Sequence, residues 1–288
     1  MNAPGHRVFP YSWEQAVEML RRDPAHRDLI FHSYLGADLA DNGRRFFASA
    51  EFAEALRLLR AHKPGAKDIL DIPGGNGIAT HAFAKAGFTV TTVEPDPSPT
   101  VGRGAITSIL AGAGLNANIV DAYGENLPFE AASFDIVYVR QGLHHAADLP
   151  SMLTEYARIL RPGGLLLACR EHVVDDYGKS LEAFLASQVD HQLYGGEHAF
   201  TLADYHAAFD KAALVRVSEF GPFDSSINLH PMTFEELEAS VLLSRRGKIL
   251  SLFLPTRFVA RIGLWWLRRK KAPGRLYTFL ARNPAGTH

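Results

Sequence analysis

From Asp68 onward the chain alternates between short apolar runs and stretches whose apolar residues recur at helical spacing. The runs lie at 69–72, 89–93, 118–120, 134–139 and 165–170, and the helical stretches at 78–86, 100–113 and 149–160. Repeated strand–helix units of this length predict a parallel sheet with right-handed crossovers and helices on both sides. A helix at 202–212, a strand at 214–220, a long insert over 221–275 and a strand at 276–281 complete the pattern.

The segment before Asp68 reads as helical. Ser12 and Gln15 have the spacing of a capping box, and Ala16, Val17 and Leu20 follow on one face. A helix over 49–62 carries Phe52, Ala55, Leu56 and Leu59, and Lys63-Pro64-Gly65 closes it. The predicted organisation is a helical cover over 1–66 and a core over 67–288, with inserts at 175–201 and 221–275 forming a lid or substrate region. Cys169 is the only cysteine, which excludes an internal disulfide, and residues 1–10 hold no apolar run like a signal sequence. Both observations favour a reducing cytoplasm.

Net charge is −1, yet it is unevenly spread: eleven Lys and Arg and no acid follow Glu238, leaving 19 of the 30 basic residues against all 31 acids up to and including it. Such asymmetry points to an anionic partner or surface at the C-terminal end.

The first run leads into Asp71-Ile72-Pro73-Gly74-Gly75-Asn76-Gly77, a glycine-rich turn between strand and helix. Backbone without Cβ lets a ligand approach closely, and a helix start behind it offers free amides. A dinucleotide site wants a third small residue three after Gly77, and Thr80 stands there. A carboxylate at Asp71 also repels phosphate and suits a ligand with cationic groups. Glu94, at the end of the second run before Pro95, is placed to accept both hydroxyls of a ribose. Asp121-Ala122 follows the third run, where a carboxylate suits an adenine amino group. Leu143-His144-His145 follows the fourth, and Arg158-Ile159-Leu160-Arg161-Pro162-Gly163-Gly164 leads into the fifth.

This ordered series, over about 68–170, resembles the class I S-adenosylmethionine-dependent methyltransferases, and within them the small-molecule group that includes ubiquinone and menaquinone biosynthesis enzymes. The resemblance implies an α/β, Rossmann-like fold with a mostly parallel sheet and an antiparallel last strand. It implies S-adenosylmethionine as cofactor, held by Asp71, Gly74, Gly75, Gly77, Glu94, Pro95, Asp121, Ala122 and Gln141. Pro73 departs from the family, which has glycine there, so an amide that reaches the cofactor is lost.

Methyl transfer to a hydroxyl or ammonium needs a base. The Leu-His-His run recurs in family members with different substrates, which implies a structural role for His144 and His145, an imidazole tying the loop after the fourth strand. The candidate catalytic residues are His191 and His198, which flank Tyr194-Gly195-Gly196, together with His145. Glu171, His172, Asp190 and Glu197 lie in the same stretch. Their spacing matches no metal motif, so no metal is expected.

Residues 249–267 are apolar apart from Arg257 and Arg261, with Pro255 breaking the stretch, which argues against a membrane span. Phe258, Ile262 and Trp265 form a stripe ahead of Arg268, Arg269, Lys270 and Lys271. Three readings follow for 245–275: a packed lid helix or homodimer contact, docking to an anionic membrane, and, least favoured, nucleic acid. The leading function is methyl transfer to O, N or C of a small, apolar or lipid-linked acceptor. The alternatives are a protein that binds the cofactor without transfer, and a nicotinamide oxidoreductase, which Thr80 disfavours.

Overall fold

The computed structural model describes residues 9–284. Its strands are β1 (Asp68–Asp71), β2 (Thr89–Val93), β3 (Asn118–Val120), β4 (Phe134–Arg140), β5 (Leu160–Val174), β6 (Phe200–Thr201), β7 (Val215–Phe220) and β8 (Arg275–Arg282). They form one sheet in the order β3-β2-β1-β4-β5-β8-β7, with β6 alongside β5. β8 runs antiparallel to both of its neighbours, and the other pairings are parallel. The expected α/β architecture with an antiparallel last strand is therefore the one observed.

Alternation along each strand divides the core in two. Leu70, Val137, Leu166 and Phe279 face one side, where they pack with Leu153, Tyr156 and Phe209. Ile69, Ile136, Leu167 and Leu280 face the other, with Phe46, Phe52, Leu59 and Phe83. The N-terminal helices thus share the sheet's own core. Glu51, on the helix Ala50–His62, is buried and paired with Arg140 at the end of β4 at 2.6 Å. Burial works against both charges, and each holds the other ionised: the carboxyl of Glu51 lies below its ordinary value. Removing one member of such a pair costs about 3–5 kcal/mol.

Two features differ from the sequence reading. β5 begins five residues early and continues past Arg170, where a positive φ of 61° marks a bulge in the pairing with β8. The Arg170 guanidinium donates to the carbonyls of Ile227 and His230, which stabilises that kink. The insert after β5 holds two helices, Lys179–Ser187 and Val189–Tyr194. The C-terminal insert breaks at Pro255 as expected, giving Arg245–Leu250 and Thr256–Arg269. Among the described residues, no helix is long and apolar enough to cross a membrane.

At the end of β1 the chain passes through a cis Ile72–Pro73 peptide into the glycine turn. Asp71 is fully buried below this turn, and Thr80 donates a 2.6 Å hydrogen bond to its Oδ2. Among the described residues no partner meets Oδ1. Burial is the main cause that pushes the Asp71 carboxyl up to about 7, with Glu94 adding to it. A group that binds its proton more tightly when folded loses stability as pH rises through its folded pKa. The melting temperature of Asp71→Asn relative to wild type should therefore rise between pH about 4 and about 7, by roughly 2–4 °C per kcal/mol. Thermal melts at several pH values check this, and a gap that stays constant or shrinks contradicts it.

Candidate active site

The parallel strands end at one edge of the sheet, and their turns enclose a cavity of about 690 Å³. Pro73, Gly74, Gly75 and Asn76 come from the turn after β1, Glu94 and Pro95 from β2, Ala122 to Glu125 from β3, and Arg140 to Gly142 from β4. Trp13, Ser33 and Leu35 close it from the N-terminal segment, and Asp190, Tyr194 and Glu197 from the insert after β5. The Asn76 side-chain amide donates to the Tyr34 carbonyl at 2.7 Å, tying the turn to its cover.

The turn is pressed against β2. A Cβ on Gly74 would lie 2.2 Å from Thr92 Oγ1, so the close approach requires glycine. Gly75 has a φ of +53° and open space where a side chain would stand. Its amide donates to Glu94 Oε2 at 2.7 Å, while the Asp96 amide donates to Oε1 at 2.9 Å. A carboxylate has about four acceptor positions, so roughly two remain. Burial is the first cause that raises the Glu94 carboxyl to about 7.

Of the other expected cofactor residues, Pro95, Ala122 and Gln141 line the cavity with Gly74 and Gly75. Gly77 begins the following helix with a φ of 86°, packed on Ile106 rather than on the cavity lining. Asp71 also lies outside the lining, holding the turn through Thr80. Asp121 is turned away too: it is exposed and ion-paired with Arg103 at 2.9 Å. The Arg103 guanidinium donates as well to the carbonyls of Glu94 and Pro95, so the β2 and β3 turns share one cation.

The histidines divide sharply. His145 lines the cavity, and its Nδ1 lies 2.8 Å from the Gly196 carbonyl. His191 and His198 are not in the lining. His191 meets Phe9 edge-on at 5.4 Å, and His198 stacks on Tyr177. His144 does line the cavity, yet it is almost wholly buried, with Nδ1 2.8 Å from Glu171 Oε2 and Nε2 3.6 Å from Glu197 Oε2. Glu171 also accepts the amides of Gly142 and His144 at 3.0 and 3.1 Å, which fixes the loop after β4.

Burial alone would lower His144, but Glu171 and Glu197 raise it to about 9. Burial would raise Glu197, yet its imidazole neighbours hold it at about 2. His172 is pushed to about 4 by burial and by the charge on His144, and burial lifts Asp190 to about 6. Arg140, Tyr123 and Tyr194 are lining residues that sequence reasoning passed over. An arginine closing the apolar stretch Ile136 to Val139 of β4 was the available signal for the first.

Comparison with known proteins bears on the fold and on residues 70–168. A methyltransferase-domain model matches residues 70–168. A ubiquinone/menaquinone biosynthesis C-methyltransferase UbiE from Hahella chejuensis is 39% identical over 103 residues, covering 34% of this chain and 41% of that protein. The chain spans about two fifths of the length of the curated relatives it matches. A phosphoethanolamine N-methyltransferase 2 from Haemonchus contortus, solved with S-adenosylhomocysteine, aligns with a TM-score of 0.57 at 17% identity, over 95% of this chain and 60% of that one. The 4+2 cyclase SpnF aligns with a TM-score of 0.56 at 17% identity, over 99% and 100%. Residues 70–168 thus match the methyltransferase-domain family, and the sheet that carries them has the fold of the solved methyltransferases it aligns with.

Proposed function

We propose that this chain is an S-adenosylmethionine-dependent methyltransferase that acts on O, N or C of a small acceptor. The observation that carries the reading is Glu94, a carboxylate with spare acceptor capacity beside the open Gly75 turn, at a cavity whose 690 Å³ suits a small-molecule site. The residues fit the cofactor. Gly75 leaves room for close approach, Glu94 suits paired ribose hydroxyls rather than a phosphate, and Ala122 and Tyr123 offer surface for a base. Asp71 and Asp121 then act one step back, the first by holding the turn and the second by fixing Arg103 against the β2 end.

Bound there, the cofactor supplies a methyl group already activated on a sulfonium. The chain's task is to orient the acceptor and exclude water, and orientation is worth roughly 7–11 kcal/mol. His145 is the proposed base among the three expected histidines. Its Nδ1–H donates to the Gly196 carbonyl, which leaves the Nε2 lone pair to take a proton. A positioned base contributes about 10²–10⁴-fold.

The acceptor class is proposed as apolar or lipid-linked, supplied from an anionic membrane surface. The helix Thr256–Arg269 packs through Val259, Ala260 and Gly263, the last so close to Val241 that a Cβ would lie 2.1 Å from it. Its other face leaves Phe258, Ile262, Trp265 and Trp266 exposed, next to Leu252 and Phe253, which are 78% and 79% exposed. Arg257, Arg261 and the run Arg268 to Lys271 flank that face. Aromatic anchors with a basic border suit a lipid interface, where each Lys or Arg contributes about 1 kcal/mol.

Two outcomes are expected. Calorimetry should detect S-adenosylhomocysteine and not NAD, and Glu94→Gln should weaken binding roughly 10- to 150-fold. Because only ionised Glu94 accepts both hydroxyls, wild-type affinity should rise from pH about 6 to about 8 while that of the variant stays flat. NAD binding, or a variant that binds like wild type, contradicts the site. Transfer of a labelled methyl to a panel of acceptors separates catalysis from binding alone. In co-sedimentation, vesicles with anionic lipid should retain the protein and neutral ones should not, and Lys270→Glu with Lys271→Glu should lower retention. Failure of anionic vesicles to retain the wild type overturns the docking reading and leaves the exposed face to a second copy of the chain.

A further inference from the structure

The cavity wall opposite the glycine turn holds a second constellation that methyl transfer does not require. Residues from three separate segments meet there: His144 after β4, His172 in β5 and Glu197 in the insert. One ring nitrogen of each histidine and a carboxylate oxygen all lie within 4.8 Å of one another. The closest measured pair, His144 Nε2 and Glu197 Oε2, is 3.6 Å apart. Metal–ligand bonds of about 2.0–2.2 Å place ligand atoms of one ion about 3–4 Å apart, so side-chain rotation closes the cluster.

The outer partners are the more telling feature. Metal-binding histidines typically donate their other ring N–H to a carboxylate or a backbone carbonyl, which fixes the tautomer and the ring plane. His144 Nδ1 lies 2.8 Å from Glu171 Oε2, and His172 Nδ1 lies 3.0 Å from the Gly274 carbonyl. With both Nδ1 atoms occupied by acceptors, each histidine is left with Nε2 as its ligand atom. Glu171 is itself held by the amides of Gly142 and His144. The rings of His144 and His172 meet at 72° with centroids 4.8 Å apart, so the two nitrogens converge without stacking.

We propose that His144, His172 and Glu197 form a site for a divalent transition-metal ion of the Zn²⁺ class. Two imidazoles and one carboxylate select such ions over Mg²⁺ and Ca²⁺, which prefer all-oxygen shells. Three protein ligands leave at least one position open. His144 and Glu197 line the cavity, so that position faces the space where an acceptor sits. The ligand class it would take is an oxygen-bearing acceptor, such as a phenol or hydroxy-carbonyl compound. This last step rests on the methyltransferase reading; the ion site does not. The ligands come from segments 28 and 25 residues apart, which is why no metal motif is visible in the sequence.

The test uses the whole chain, stripped with a chelator and titrated with Zn²⁺ by calorimetry and with Co²⁺ by visible absorption. One ion per chain is expected, with the intense bands of a four- or five-coordinate nitrogen-ligated Co²⁺. His172→Gln and Glu197→Gln should each lower affinity at least tenfold. Glu171→Gln should lower it about 10- to 100-fold, as loss of an outer partner does. His206→Gln, whose histidine pairs with Glu219 on the surface, should leave it unchanged. Absence of stoichiometric binding, or binding that both His172→Gln and Glu197→Gln leave intact, overturns the site. Should either variant fail to fold, the wild-type Co²⁺ spectrum decides: that of the hexaaqua ion overturns the proposal. Because these readouts need neither cofactor nor acceptor, their failure is distinguishable from failure of the methyltransferase reading.

Discussion

The 2.7 Å hydrogen bond from the Gly75 amide to Glu94 is the contact on which the site depends. It joins the turn after β1 to the end of β2, the two strands whose crossover defines this edge of the sheet. It exists only because Gly74 has no side chain to collide with Thr92 and because Gly75 accepts a positive φ. With that contact made, the turn stands open on its cavity side, and Glu94 presents acceptor capacity there. The buried Asp71 fixes the turn from beneath through Thr80, at the cost of a carboxyl that resists ionisation.

The opposite wall is organised by a different principle. Glu171 sits in the core, where an unpaired carboxylate would be prohibitive, and is stabilised by two amides and the His144 ring. That arrangement holds the loop after β4 and aims His144 at Glu197. Past its pairing with β4, β5 shifts register against β8 at Arg170, and beyond that point Glu171 and His172 both meet the His144 ring. One wall is thus shaped by backbone without side chains and the other by clustered ionisable groups. Such asymmetry suits a site that holds a neutral sugar at one end and positions a reacting group at the other.

The fold was legible because strand and helix periodicities are local properties, and the capping box at Ser12 and the break at Pro255 are equally local. Gly75 and Glu94 were likewise legible as residues at strand ends, and the structure brings both to the cavity lining. Asp71 and Asp121 were legible as acids at strand ends but not in direction. Whether a carboxylate faces a cavity or a neighbour depends on Thr80 and Arg103, which the strand pattern does not order. Which histidines reach the cavity was not legible for the same reason. His191 and His198 flank a glycine pair, yet the turn there points them at Phe9 and Tyr177. The pairing of Arg140 with Glu51, 89 residues apart, is a tertiary event that no window of sequence contains.

A crystal structure of the chain grown with S-adenosylhomocysteine tests the central claim most directly. The account predicts the nucleoside in the 690 Å³ cavity, with both ribose hydroxyls on the Glu94 carboxylate and the backbone of Gly75 against the ligand. Density for the ligand elsewhere, or a ribose that leaves Glu94 untouched, would contradict it.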